Sequence, residues 1–284
     1  MFLMRGAAAS ALLTGARSLE ANPLGLPIGC QTYPVRQSIG TDFAGTMKGL
    51  RAAGFTQIEL CSPYGYDEFS SLRKYKPQEL RRMLNDWGLG CISAHWAPEE
   101  LFQKADASIA YAKEFGMTQM AIAALGPFDY KGTPTADDVK RYVEPFNTFA
   151  EKAHAAGIAA LLHNEGFVSK YIDGKPVYDM MIAELNPATT KLQFQVSALQ
   201  EGYDPVTYFH KYAGRYLSMH CQDWVKDSST KSGFRQVPLG QGVVDWKAVF
   251  TAAKGAGVKN YFVELEENPA LMAQSVPYLR SLKV

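Results

Sequence analysis

The sequence has little with which to cross-link itself. It carries four cysteines in 284 residues, at 30, 61, 91 and 221, none in C-x-x-C spacing. Three of them sit in or beside apolar, strand-like runs, where buried free thiols are commoner than disulfides. Net charge is almost absent too, at +1 from 29 basic and 28 acidic residues. A chain without a basic excess gives no electrostatic reason to expect a nucleic-acid partner. No G-x-G-x-x-G or Walker-type loop follows any strand-like run, which weakens a dinucleotide-binding reading. The small-residue apolar stretch at 1–16 is too short to span a bilayer, so no stable membrane insertion of the mature domain is expected. No shift in composition marks a linker.

What is present is an alternation that begins after Pro27. Strand-like runs fall at 28–33, 57–61, 89–94, 118–124, 158–162, 192–196, 215–219 and 261–263. Helix-like segments follow at 42–53, 77–87, 98–115, a long one ending at 156, then 177–185, 205–212, 245–256 and 269–282. The stretch from 219 to 244 reads as a long polar loop. The phrases A-A-G-F, E-F-G-M, A-A-G-I and G-A-G-V each place a glycine at a helix end before the next strand. Eight strands and eight helices in strict order favour one α/β domain, a closed (β/α)8 barrel over residues 25–284.

In such a barrel the polar groups at strand C-termini converge on one pocket. Here they are Gln31 and Tyr33, Glu59, His95, His163 with Asn164 and Glu165, Gln195 and Ser197, His220 with Asp223, and Glu264 with Glu266. Each alone also suits packing, capping or a solvated rim; together they point to a site. His154 and His210 fall in helices and read as surface residues. Imidazoles beside carboxylates suit Mn²⁺, Co²⁺, Zn²⁺ or Fe²⁺ better than Ca²⁺. Asp223, close to His220, is expected to orient that imidazole. Tyr33, His95, Trp96 and Trp224 are the candidates for binding a sugar-sized ligand, rings stacking on apolar faces and polar groups taking hydroxyls; rim packing is the alternative.

Seven stretches carry a family resemblance: P-I-G-C-Q-T-Y-P-V-R (27–36), A-G-F-T-Q-I-E-L (53–60), S-A-H-W (93–96), L-H-N-E (162–165), G-R-Y-L-S-M-H-C-Q-D (214–223), V-P-L-G-Q-G-V-V-D-W (237–246) and Y-F-V-E-L-E (261–266). With them the chain resembles the xylose-isomerase-like (sugar phosphate isomerase/epimerase) TIM barrels. The likeness runs from about residue 26 to the C-terminus. It implies one divalent metal, with ligands at His163, His220 and Glu264. The sixth-strand aspartate of the family is expected where this chain has Ser197, the family's H-x-K-D reads H-C-Q-D with Gln222, and its H-N-H reads H-N-E with Glu165. Either Glu165 restores the lost carboxylate and the metal stays, or the chain is a binding protein that has lost it. The surviving ligand positions and Asp223 favour the first.

The resemblance implies a metal-assisted sugar isomerase or epimerase that moves a proton next to a carbonyl. Glu264 and Glu165 are then ligand or base, and His95 meets substrate hydroxyls. The alternatives are a lyase or hydratase acting on 3-keto-glycosides, and a non-catalytic secreted carbohydrate-binding barrel. The order F-L-M-R-G-A-A-A resembles the tail of a twin-arginine leader whose R-R pair lies upstream of Met1. Residues 1–24 are therefore set apart as a leader, with a periplasmic or secreted location expected, or a cytoplasmic one if the leader does not act.

Overall fold

A computed structural model describes residues 22–284, so the leader assigned to 1–24 lies, but for its last three residues, outside the described residues. Eight parallel strands close into a barrel. They are β1 (Gly29–Gln31), β2 (Gln57–Cys61), β3 (Gly90–His95), β4 (Gln119–Ile122), β5 (Ala159–His163), β6 (Thr190–Gln195), β7 (Tyr216–Cys221) and β8 (Asn260–Val263). Sequential neighbours pair in parallel, and β8 closes on β1 with Gly29 opposite Phe262. That closure needs the glycine. A β-carbon at position 29 would lie 2.6 Å from both the Phe262 ring and the Tyr261 carbonyl oxygen.

Amphipathic helices cover the barrel and turn their apolar faces onto it, as with Met47 and Leu50 from Phe43–Ala53 or Val249 and Phe250 from Trp246–Ala256. The recurrent glycine phrases do end helices: Gly54 and Gly257 take φ of 108° and 85°, the left-handed conformation open to glycine. Two expectations need correction. The 98–115 helix is two, Pro98–Phe102 and Ala105–Phe115. Buried Glu100 pins the first, taking the Ser62 hydroxyl and the Ala97 N–H, while the Ser108 hydroxyl bonds the Glu100 carbonyl at 2.9 Å. The loop after β7 is not featureless either, since Asp223–Lys226 pairs antiparallel with Phe234–Val237 as a hairpin.

The interior of the barrel is polar where such barrels are commonly filled by branched apolar side chains. Asn260 donates to Gln119 at 2.9 Å near the closed end. Above them Ser93 and Gln193 donate to Glu59, Gln193 also reaching the Ser218 hydroxyl, and the histidines lie above that. No helix among the described residues is long and apolar enough to cross a membrane.

Candidate active site

Glu59 is the residue that organises the site, and it is fully buried. Its Oε1 accepts from the Ser93 hydroxyl at 2.6 Å and the Gln193 amide at 2.9 Å. Its Oε2 meets His220 Nε2 at 2.6 Å and lies 3.3 Å from His95 Nε2. Burial alone would raise this carboxyl, but the charges and hydrogen bonds of His95 and His220 hold it well below the usual carboxylate range. His220 is bracketed by two carboxylates, because its Nδ1 lies 3.0 Å from Glu264 Oε2. Burial pulls the imidazole down, yet Glu264 and Glu59 together push it up to about 10. Glu264 is driven upward by burial and held at about 2 by His220 and His163. An ion chain Glu59–His220–Glu264 thus crosses the barrel mouth.

Around it the other strand exits close in. Gln195 ends β6 and its Nε2 donates to Glu264 at 2.8 Å and to Glu165 at 3.2 Å; Gln222 Nε2 reaches Glu264 at 3.1 Å. His163 Nε2 stands 3.7 Å from Glu165 Oε1, longer than a hydrogen bond. Desolvation and the His220 charge lower His163, so it is a neutral imidazole, and its buried Nδ1 has no partner. Burial would raise Glu165, but the His163 ring and the Gln195 amide outweigh it and keep the carboxyl low. His95 stacks on His220 with ring centroids 5.1 Å apart.

Of these groups His95, Glu165, Gln195 and Glu264 line a cavity of about 610 Å³, together with Tyr33 and Glu266, while Glu59, His163 and His220 are not part of its wall. Glu266 is open to the water of the cavity. Desolvation by the concave wall, then the Glu264 and Glu165 charges, raise it to about 7.

The residues present fit a divalent cation. His95, His163 and His220 each offer one ligand atom, all within 4.8 Å of one another. Glu264 and Glu165 stand beside two of these rings, and His163 keeps a neutral ring with a stranded nitrogen. A mixed nitrogen and oxygen donor set of this kind suits zinc, manganese, cobalt or iron.

Several sequence expectations change. Gln195, not Ser197, holds the sixth-strand exit, because β6 ends at 195 and alternate side chains from Gln193 and Gln195 point inward. Ser197 lies further on, in a short 3-10 helix on the cavity wall. Asp223 does not touch His220. It is fully buried and accepts from the N–H groups of Trp224, Gly240, Gly242 and Val244 and from Trp246 Nε1, at 2.9–3.3 Å. Trp96 and Trp224 are absent from the cavity wall. Trp96 is buried against Tyr111, and Trp224 against Phe234 of the hairpin. Trp96 follows the end of β3 by one residue, and Trp224 lies three residues past β7, in the Asp223–Lys226 strand of the hairpin. Glu59 was visible as a strand-end carboxylate, but as a rim group; a charge inside the apolar run I-E-L was the available signal for its central place. Gln193 was missed.

A closed ring of eight parallel strands with one polar, metal-competent site at its C-terminal mouth is a (β/α)8 barrel of the kind that works on small molecules. The chain belongs to the xylose isomerase-like TIM barrel family, whose model matches residues 48–282. Its curated relatives include inosose dehydratases. That of Lacticaseibacillus casei is 23% identical over 58% of this chain and 59% of its own length, so the match spans little more than half of that relative. That of Geobacillus thermodenitrificans is 26% identical over 78% and 81%. Among solved structures, a sugar phosphate isomerase/epimerase from Parabacteroides distasonis superposes with a TM-score of 0.71 at 23% identity, over 89% of this chain and 97% of the other. The IOLI protein with a zinc atom bound gives 0.67 at 14%, over 90% and 94%.

Proposed function

We propose that this chain moves a proton at a carbon next to the carbonyl of a polyhydroxylated ketone, as a metal-assisted sugar isomerase or epimerase. The observation that carries this reading is the carboxylate pair Glu165 and Glu264, bridged by the Gln195 amide and facing one cavity beside three imidazoles. His163, His220, Glu264 and Glu165 would hold the metal. When bound, a divalent cation supplies an electrophile for the ligand carbonyl and for the negative charge that grows on its oxygen. Zinc in the IOLI neighbour supports that assignment.

The remaining work falls to the chain's own side chains. Glu264, buried and held at about 2, stays ionised as the anchor. Glu165 is the more accessible of the two and is also kept ionised, so it takes the proton. His95, raised by Glu59 against its burial, presents a ring on the cavity wall to a ligand hydroxyl. Gln193 fixes that ring through a 2.7 Å contact to Nε2. Tyr33 lines the wall where an apolar sugar face would rest.

The inosose dehydratase relatives favour a second reading, in which the same proton removal is followed by loss of the neighbouring hydroxyl as water. One experiment serves both. The Mn²⁺- or Zn²⁺-loaded protein is incubated in deuterated water with ketoses, keto-glycosides and keto-inositols and followed by NMR and mass spectrometry. Exchange of the proton beside the carbonyl is expected, abolished by Glu165→Gln. A product heavier than the substrate only by the deuterium taken up marks isomerisation, and loss of water marks elimination. Sugar binding without exchange by any ligand would sink the enzyme reading and leave a carbohydrate-binding barrel.

A further inference from the structure

The formal charges on the cavity wall are carboxylates, set among neutral polar and aromatic side chains and the His95 ring. Glu165, Glu201, Glu264 and Glu266 line the cavity, and among the described residues no lysine or arginine does. The nearest opposing charge is the His220 ring beneath the wall, which is already bracketed by Glu264 and Glu59. Arg36 pairs with Glu68 at 3.3 Å and lies over the Tyr33 ring, and Lys170 acts on Glu201. Below the carboxylates Gln195 is only 1% exposed, lines the cavity, and leaves Oε1 without a partner. A buried stranded acceptor calls for a donor on the ligand.

A second observation concerns the place where barrels of this fold commonly seat a phosphate, the loops after the seventh and eighth strands. Here the backbone N–H groups of Gly240, Gly242 and Val244 converge as an anion-binding concavity would, but the Asp223 carboxylate of the chain itself occupies them. A β-carbon at Gly242 would fall 2.0 Å from Asp223 Oδ1, so loop and carboxylate are closely fitted. The donors an anionic ligand needs are already taken.

From these we infer that the site selects its ligand by charge, accepting an uncharged or amino-bearing polyol and rejecting phosphorylated sugars. The inference rests on the reading of this cavity as the sugar site and deepens it. It sets this chain apart from what the name of the Parabacteroides neighbour suggests. Glu201 and Glu266 are the specificity-determining residues, because they charge the mouth without belonging to the proposed metal set.

The test uses thiol labelling, which requires no knowledge of the true substrate. Cys30, Cys91 and Cys221 are buried away from the cavity, whereas Cys61, also buried, lines it; in a Cys61→Ser background a Ser197→Cys or Gln200→Cys variant places a single thiol on the cavity wall. At pH 8, a cationic methanethiosulfonate should modify it on the order of tenfold faster than an anionic one, after normalisation to free cysteine. Glu201→Gln in the same background should shrink that ratio, as should added salt. Titration calorimetry with a hexose, its 2-amino analogue and its 6-phosphate should rank the phosphate last. A labelling ratio equal to that of free cysteine at both positions, or a phosphate that binds more tightly than its parent sugar, overturns the inference. Failure of the deuterium exchange leaves the labelling ratio untouched, so the two readings fail separately.

Discussion

Gln195 shows how one side chain sets the character of the site. Its amide nitrogen sits between Glu264 and Glu165, so a neutral donor stands where two carboxylates would otherwise repel each other. A carboxylate at this position would add charge to the cation's donor set. Gln195→Asp is therefore expected to tighten Zn²⁺ or Mn²⁺ binding by about tenfold or more, or ~1.4 kcal/mol, measured by competition with a chelating dye. An unchanged affinity would show that position 195 is out of reach of the ion. Much of this site was legible residue by residue. His163, His220, Glu165 and Glu264 announce themselves as ionisable groups at the ends of apolar runs. Glu59 and Gln193 do not, because their meaning lies in partners 161 and 134 positions away, which only barrel closure supplies. The direction of Trp96 and Trp224 is equally hidden, since residues past the end of a barrel strand no longer follow its alternation.

At the scale of elements, one carboxylate gathers most of the loop from Pro238 to Val244, with the Leu239 N–H on Ser275 and the Val243 N–H on the Trp224 carbonyl as further ties. Asp223 gathers four backbone N–H groups and the Trp246 indole, and so fixes the segment between the hairpin and the helix Trp246–Ala256. Asp223→Ala strands several of these donors in a buried place, each costing about 1–3 kcal/mol. A loss exceeding about 4 kcal/mol of stability is expected in urea melts, with metal affinity of the folded protein at low temperature unchanged. The opposite pattern, unaltered stability with lost metal binding, would return Asp223 to the role its nearness to His220 suggested. The hairpin itself is tied to the site. Gln236 bonds Gln222 at 3.2 Å and exchanges hydrogen bonds with Glu267 at 2.9 and 3.0 Å. Strand and helix positions followed from periodicity, whereas this hairpin did not, because its polar sequence carries no apolar repeat.

For the whole molecule the buried charges set the response to acid. Glu59 and Glu264 have folded pKa values below their unfolded ones, so the stability they contribute is present above the ordinary carboxylate range. It is lost as pH falls through the folded values, about 2 for Glu264. Glu266, raised to about 7, acts with the opposite sign and erodes stability as pH rises from the ordinary carboxylate range to 7. Urea melts of the metal-free protein from pH 3 to pH 8 should show a steep acid limb and a decline on the alkaline side, to which His220, raised to about 10, adds above its unfolded value; Glu266→Gln should flatten only the part of the decline below about 7. The closure of β1 on β8 has a further consequence, in the order of folding events. Gly29 meets Phe262 across nearly the whole chain, and the Glu59–His220 contact spans 161 positions. Contacts of such separation carry a large loop-closure entropy and form late. A chain still emerging from the ribosome, or halted as a half-barrel, therefore leaves His220 without Glu59. The bracketing of His220 by two carboxylates is then a mark that the ring has closed.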